Sequence, residues 1–245
     1  MPNSYFQFRQ FIIHQDKCAM KVTTDACLFG AWVATKIKKE KAGPKKFLDI
    51  GTGTGLLSLM IAQEDDQLSI DAVEIDADAY EQAKENISAS GWQSRINIFN
   101  SDARDFSFTE KYDGIISNPP FYEHELTSAD AKKNTAHHSS ELSFAELLKL
   151  VKNNLAPSGS FYILMPYKRE KEIKHLFETH ELYISEKVFV RQSVKHDYFR
   201  IMIAGNMEKE NHPEKSELSI WNEKREYTNE FTHLLKDYYL YLTTD

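Results

Sequence analysis

Three of the nine glycines in this 245-residue chain fall within five positions, Gly51, Gly53 and Gly55, and no other feature narrows the fold as far. Before them runs Lys46-Phe47-Leu48-Asp49-Ile50, a short apolar segment that reads as a buried strand. After them runs Leu56-Leu57-Ser58-Leu59-Met60-Ile61-Ala62, rich in helix formers. A strand that turns on closely spaced glycines and restarts as a helix opens a strand–helix–strand unit, and the sequence continues it. Ser69 to Ile75 alternates with period two, Ala77 to Ser90 is helix-like and stops at Gly91, and Arg95 to Phe99 and Tyr112 to Ser117 read as strands three and four.

Past residue 142 the alternation resumes. Phe144, Leu147, Leu148 and Val151 share a helical face, Phe161 to Met165 is a strand ended by Pro166, and Lys168 to His180 is an amphipathic helix. Leu182 to Val190 and Tyr198 to Ala204 read as two closing strands with no helix between them. A final helix is expected from Phe231 through Leu234, Leu235, Tyr238 and Tyr239 to Leu242. This pattern predicts an α/β fold, a mostly parallel sheet covered by helices on both faces with an antiparallel hairpin at one edge. Polar stretches at Glu123 to Ser140 and Met207 to Ser216 are read as loops. The expected layout is one domain over 1–245: an extension (1–45) lining the site, a core sheet (46–205), and a C-terminal strand and helix (206–245).

Composition removes several classes. The longest apolar run, Leu56 to Ala62, is broken by Ser58 and far shorter than the ~20 residues of a membrane span. The N-terminus lacks a basic start followed by an apolar core, so no secretion signal is read and a cytoplasmic protein is expected. Cys18 and Cys27 fit neither a disulfide framework nor a metal knuckle, and are expected as reduced thiols; no metal is expected. The net charge of −7 argues against a nucleic-acid partner, yet residues 1–60 carry nine Lys/Arg against four Asp/Glu. That excess comes largely from Lys36, Lys38, Lys39, Lys41, Lys45 and Lys46, read as a solvated helix end and loop rather than a phosphate patch.

Strand, Gly-x-Gly-x-Gly, helix and then an acidic residue closing the next strand is a nucleoside-binding arrangement. The acid is Glu74, 19 residues past Gly55, placed to accept from ribose hydroxyls. A dinucleotide site is the competitor, but its glycine spacing is one residue longer and it receives a pyrophosphate. Asp49 stands directly before this loop and would repel an anion, whereas it suits the cationic sulfonium and ammonium of S-adenosylmethionine. Asp102, after strand three, is placed to accept from the adenine amino group.

Strand four runs straight into Asn118-Pro119-Pro120-Phe121. Two prolines remove two N–H donors and leave carbonyls as pure acceptors. The Asn118 side-chain oxygen and the Pro119 carbonyl can then grip both hydrogens of one amino group, while Phe121 offers a flat face for a base. Such a clamp suits methylation of a conjugated amine, because the two acceptors bind more strongly as the nitrogen turns tetrahedral.

At these residues the sequence resembles the amino-group methyltransferases that use S-adenosylmethionine. The resemblance implies a Rossmann-like sheet of seven strands, with Asn118, Pro119, Pro120 and Phe121 as the amine clamp and Gly51, Gly53, Gly55, Glu74 and Asp102 as cofactor contacts. Within that class, Phe6 to Ile13, Cys18 to Trp32, Asp71 to Glu74, Ile115 to Phe121 and Tyr227 to Leu240 are similar to the tRNA1(Val) adenine-37 N6-methyltransferase family. This second resemblance implies that a tRNA is the substrate and that the target is an adenine of its anticodon loop. It also implies that Lys21, Thr24 and Asp25 lie near the methionine end of the cofactor, although capping of the first helix would account for Thr24 or Asp25 as well. One departure is His137, beside His138, where a basic residue is expected in the loop after the clamp. Methylation of guanine N2 in ribosomal RNA or of a protein glutamine amide, and a non-catalytic cofactor- or RNA-binding module, are the alternatives. A monomer is expected.

Overall fold

The structure, a computed structural model, describes residues 3–39, 45–120, 142–209 and 212–242. Eight strands form the central sheet: β3 (Lys45–Ile50), β4 (Leu68–Glu74), β5 (Ile96–Asn100), β6 (Tyr112–Ser117), β7 (Leu155–Pro166), β8 (Tyr183–Ser193), β9 (Tyr198–Asn206) and β10 (Glu214–Trp221). Their spatial order is β10-β8-β9-β7-β6-β3-β4-β5, and β9 alone runs against its neighbours. Helices α1 (Thr24–Lys39), α2 (Leu56–Ala62), α3 (Ala77–Ser88) and α6 (Asn229–Leu235) pack on one face, where Phe29, Leu59, Ile87 and Phe231 join one core cluster. Helices α4 (Phe144–Asn154) and α5 (Glu170–Thr179) cover the other, with Leu147, Leu148, Ile173 and Phe177 in a second cluster. Each fully buried Leu, Ile or Phe of these clusters contributes about 1.5–3 kcal/mol. Strands β3 and β6 fit closely at Gly114, where a Cβ would lie 2.2 Å from the Phe47 ring of its register partner.

The expected two-faced α/β sheet is present, with three corrections. The sheet has eight strands, not seven, and the β8–β9 hairpin is not its edge, because β10 pairs parallel with β8. Strand β10 begins inside the stretch read as a loop: Glu214, Lys215, Ser216 and Glu217 are exposed, and only Leu218 and Ile220 enter the core. An edge strand that carries charge on its open side resists pairing with another chain, and the same charge hides it from a hydrophobicity reading. The third correction is the last helix, which ends at Leu235 rather than reaching Leu242. Tyr238 is buried beyond it, and Tyr239 bridges Phe8 instead of continuing the helix.

That bridge fastens the N-terminal segment. Strands β1 (Tyr5–Gln7) and β2 (Ile12–His14) form a small antiparallel sheet of their own, and Arg9 donates from its backbone N–H to the Tyr238 carbonyl at 2.8 Å. No described helix is long and apolar enough to cross a membrane. Both cysteines are free and buried, and burial pushes the thiols up, Cys18 to about 11 and Cys27 to about 12.

Candidate active site

In an open α/β sheet a ligand crevice forms beyond the carboxyl ends of the strands, where the order reverses. Here the chain passes from β3 out to β4 and β5, then returns to β6 on the other side of β3. Ile50 and Ser117 are register partners at that reversal, and the Ser117 hydroxyl donates to the Ile50 carbonyl at 2.8 Å. The glycine loop and Asn118-Pro119-Pro120 therefore leave the sheet side by side, on strands about 4.8 Å apart.

The loop's glycines are dictated by backbone. Gly51, Gly53 and Gly55 have φ of +72°, +58° and +81°, a region that side chains other than glycine adopt only with strain. A Cβ at Gly51 or Gly53 would meet nothing within 4 Å, so the space above both stays clear for a ligand to approach. Glu74, at the end of β4, braces the loop from the side: Gly53 N–H donates to its Oε2 at 2.8 Å, and Asp76 N–H to its Oε1 at 2.9 Å. Each oxygen keeps a second acceptor direction. Ile75 follows with half of its surface exposed (53%), an apolar face beside the carboxylate.

Asp49 is fully buried beneath the loop. Both the Thr52 and the Ser58 hydroxyls donate to its Oδ2 at 2.7 Å, and its Oδ1 is buried with no hydrogen-bond partner. Buried polar atoms are almost always satisfied, so a lone carboxylate oxygen under an open glycine loop marks the place of a donor. Burial pushes the Asp49 carboxyl up to about 6. The ammonium of S-adenosylmethionine is a donor of the right sign, Glu74 has acceptor directions that ribose hydroxyls could use, and the residues present fit this group.

The other expected contacts are arranged differently. Asp102 is held by Arg104, whose Nη2 lies 2.5 Å from Oδ2, whose Nε lies 3.0 Å from both oxygens, and whose backbone N–H donates to Oδ1. Bonding to that guanidinium lowers the Asp102 carboxyl below its usual range. Lys21 turns into its own segment, its Nζ donating to the Gln15 and Cys18 carbonyls. Thr24 and Asp25 open α1; Asp25 lies in the first turn, where its charge suits the helix dipole, and pairs with Arg200 of β9 at 2.7 Å. Asn118 is half-buried and Pro119 buried, while Phe121, His137, His138 and the rest of the loop after the clamp lie outside the described residues.

Three residues not singled out in the sequence complete the frame. Ser58 and Ser117 supply the hydroxyl bonds described above. Asn86 of α3, 1% exposed, donates to the carbonyls of Thr54 and His14 at 2.9 Å and accepts from His14 N–H at 2.9 Å. It ties the glycine loop to the N-terminal sheet. An apolar helix face carrying Asn is the one signal that pointed there. Among the described residues no cluster of three or more His, Cys, Asp or Glu could hold a metal ion.

A glycine loop over an orphaned carboxylate, beside an Asn-Pro-Pro turn at the reversal of an eight-stranded sheet, is the arrangement of a methyltransferase. The family model described as "Methyltransferase small domain" matches residues 32–190, and the chain belongs to it. The fold agrees: a crystal structure described as a predicted O-methyltransferase from Agrobacterium tumefaciens superposes with a TM-score of 0.65 at 13% identity, covering 90% of this chain and 100% of that one. Within the class, the chain belongs to the tRNA1(Val) (adenine(37)-N6)-methyltransferase family. A relative of that name from Bacteroides fragilis is 39% identical over 98% of this chain and 99% of its own. One from Dyadobacter fermentans is 49% identical over 67% of this chain and 66% of its own.

Proposed function

We propose that this enzyme transfers the methyl group of S-adenosylmethionine to the exocyclic N6 of adenine 37 in the anticodon loop of tRNA1(Val). The observation that carries the reading is the pairing of two loops at one strand reversal: Asn118-Pro119 on β6 stands beside the glycine loop on β3, whose Asp49 oxygen lacks a donor. The relatives' names supply the tRNA and the position.

When bound, the cofactor supplies an electrophilic methyl on a sulfonium. Asp49 and Glu74 would hold its ammonium and ribose, and the Gly51–Gly53 backbone leaves room there. Asn118 Oδ1 and the Pro119 carbonyl accept the two N6 hydrogens, drawing the nitrogen lone pair out of the ring plane toward the methyl. Phe121 stacks on the base, which is flipped out of a single-stranded loop. Alignment and the acceptor pair account for the acceleration, and no separate base is required before attack. Asp102, fixed by its bonds to Arg104, would serve as a charged acceptor for the adenine of the cofactor. Lys21, Thr24 and Asp25 would border the methionine end, Lys21 and Asp25 from within their bonds to the Gln15 and Cys18 carbonyls and to Arg200.

Isotopically labelled S-adenosylmethionine, offered with unmodified tRNA, ribosomal RNA and a protein extract, tests this reading by nucleoside and peptide mass spectrometry. Label is expected as N6-methyladenosine in tRNA. Label in guanosine or glutamine would keep the clamp and overturn the substrate.

A further inference from the structure

Beyond the clamp, the same edge of the sheet opens into a second cleft of about 740 Å³, within the range of sites that bury a small organic ligand. It lies between the start of α1, the tip of the β8–β9 hairpin and the end of β10, and Asp25, Gln192, His196, Phe199, Trp221 and Tyr227 are among its lining. Thr24 and Asp25, proposed to border the methionine end of the cofactor, line it on the α1 side, so the cleft adjoins that site, but none of Asp49, the loop glycines, Glu74, Asp102, Asn118 or Pro119 lines it. Sheet order puts β9 two strands and β10 four strands from β6, so the cleft runs about 10–20 Å from the clamp. Neighbouring nucleotides of an extended strand cover that distance.

The lining has the chemistry of a base-binding slot. Trp221 stacks on Tyr227 with centroids 4.1 Å apart, and Tyr227 on Phe231 at 4.4 Å; Phe231 is fully buried. The outer ring is thus anchored in the core and presented without an ordering cost at the moment of binding. The Gln192 amide and the His196 imidazole offer donors and acceptors for a base edge. Two carboxylates, Asp25 and Asp197, line the cleft and disfavour a phosphate inside it. At its rim Arg200, paired with Asp25, lies over the Phe199 ring at 5.6 Å, and Arg191, paired with Glu217 at 3.0 Å, over the Tyr198 ring at 5.4 Å; Lys195 is exposed at the hairpin tip. The aromatic slot is the feature shared with surfaces that hold single-stranded nucleic acid by base stacking.

We propose that this cleft is a second nucleobase subsite, which stacks one base flanking the methylated adenine against Trp221 while the target base sits at the clamp. The subsite rests on the proposed tRNA reading and adds to it a means of recognising the loop around the target.

The test uses full-length unmodified tRNA carrying a single abasic site at each loop position near the target in turn, with steady-state methylation and equilibrium binding as readouts. One flanking position is expected to raise KM about tenfold, since stacking on an aromatic side chain is worth about 1–3 kcal/mol per base. Trp221→Leu is expected to raise KM by a similar factor with kcat nearly preserved, Trp221→Phe to retain most of the affinity, and the abasic site to add nothing further in Trp221→Leu. A KM insensitive to every flanking position overturns the subsite without need of any variant. So does a Trp221→Leu enzyme, folded by thermal melting, that loses kcat at unchanged KM, because the cleft would then serve the target base. Should Trp221→Leu not fold, Gln192→Ala, at an exposed position, takes its place with the same criteria. A wild-type enzyme silent on tRNA would overturn the functional reading and the subsite with it, an outcome distinct from an active enzyme indifferent to Trp221.

Discussion

Two aspartates on neighbouring strands show how the edges of this sheet differ. Asp71 of β4 is surrounded: the Tyr112 hydroxyl and the Asn97 amide donate to it at 2.9 Å, and Lys46 pairs with it at 3.0 Å. Asp49 of β3, one register step nearer the carboxyl edge and on the other face of the sheet, has two hydroxyls on one oxygen and nothing from the protein on the other. The amino edge settles its charges internally; Lys36 pairs with Glu186, Lys38 with Glu64, and Lys46 also with Glu110. The carboxyl edge presents an acceptor that no protein group donates to, an open glycine loop and an aromatic cleft. Buried charge that is satisfied by the protein serves the fold, whereas buried charge left over awaits something from outside.

The sharpest way to break that contrast is at the clamp. Asn118→Ala is expected to lower turnover at least about 100-fold, in line with the loss of one transition-state hydrogen-bonding group, while calorimetry finds cofactor affinity near normal. Equal loss of both would remove Asn118 from its role. Next comes Glu74→Ala, expected to weaken cofactor binding roughly 10- to 100-fold, because a charged acceptor goes and Gly53 loses its brace. An unchanged dissociation constant would contradict the geometry of the loop.

Asp49 predicts a pH dependence whose sign can be worked out. Its carboxyl is raised to about 6, and only the ionised form attracts an ammonium. Cofactor affinity should therefore be level above pH 7 and fall about tenfold per unit below 6. For the free protein the linkage is opposite in direction: the native state holds this proton more tightly than the unfolded chain, so Asp49's own contribution to stability declines as pH rises from about 4 to 6. The substitution Asp49→Asn should flatten the affinity profile; a persisting slope would assign it to another group.

Smaller effects probe the frame and the far edge. Asn86→Leu leaves the His14 and Thr54 backbone groups without their partner and should cost roughly 1–3 kcal/mol, read as a lower melting temperature. A melting temperature equal to wild type would mean those groups find other partners. Replacing Lys36 and Lys38 by Gln should leave tRNA affinity at low salt within about twofold and its salt slope unaltered. A slope lowered by about one per lysine would return the amino edge to the RNA interface.

Much of the architecture was legible in local pattern. Strand β6 begins and ends at the expected Tyr112 and Ser117, and α2 covers Leu56–Ala62 as read. The misses came where tertiary context overrode pattern: the exposed half of β10 looked like a loop, and the Tyr238–Leu242 stripe looked helical because apolar side chains can be buried without a helix. In the site, the glycine loop and Asn118-Pro119 were legible because they depend on residue type. Asn86, Ser58 and Ser117 were not, since a polar residue on a buried face can be noticed in the sequence but its partner, set by elements far along the chain, cannot.

By itself the sequence determined what acts over a few residues: left-handed turns at Gly51, Gly53 and Gly55, a donor-free Pro-Pro turn, and period-two strands between helices. Those follow from backbone sterics and side-chain chemistry within a turn or two. Only the tertiary structure decided which of these features meet. Strand order carried Asn118 to the glycine loop, brought Arg200 to Asp25 across 175 residues, and gathered Trp221, Phe199 and the start of α1 around one cleft. It also placed Lys36 and Lys38 at the opposite edge, because α1 starts beside Arg200 and runs its 16 residues, about 24 Å, away from the site.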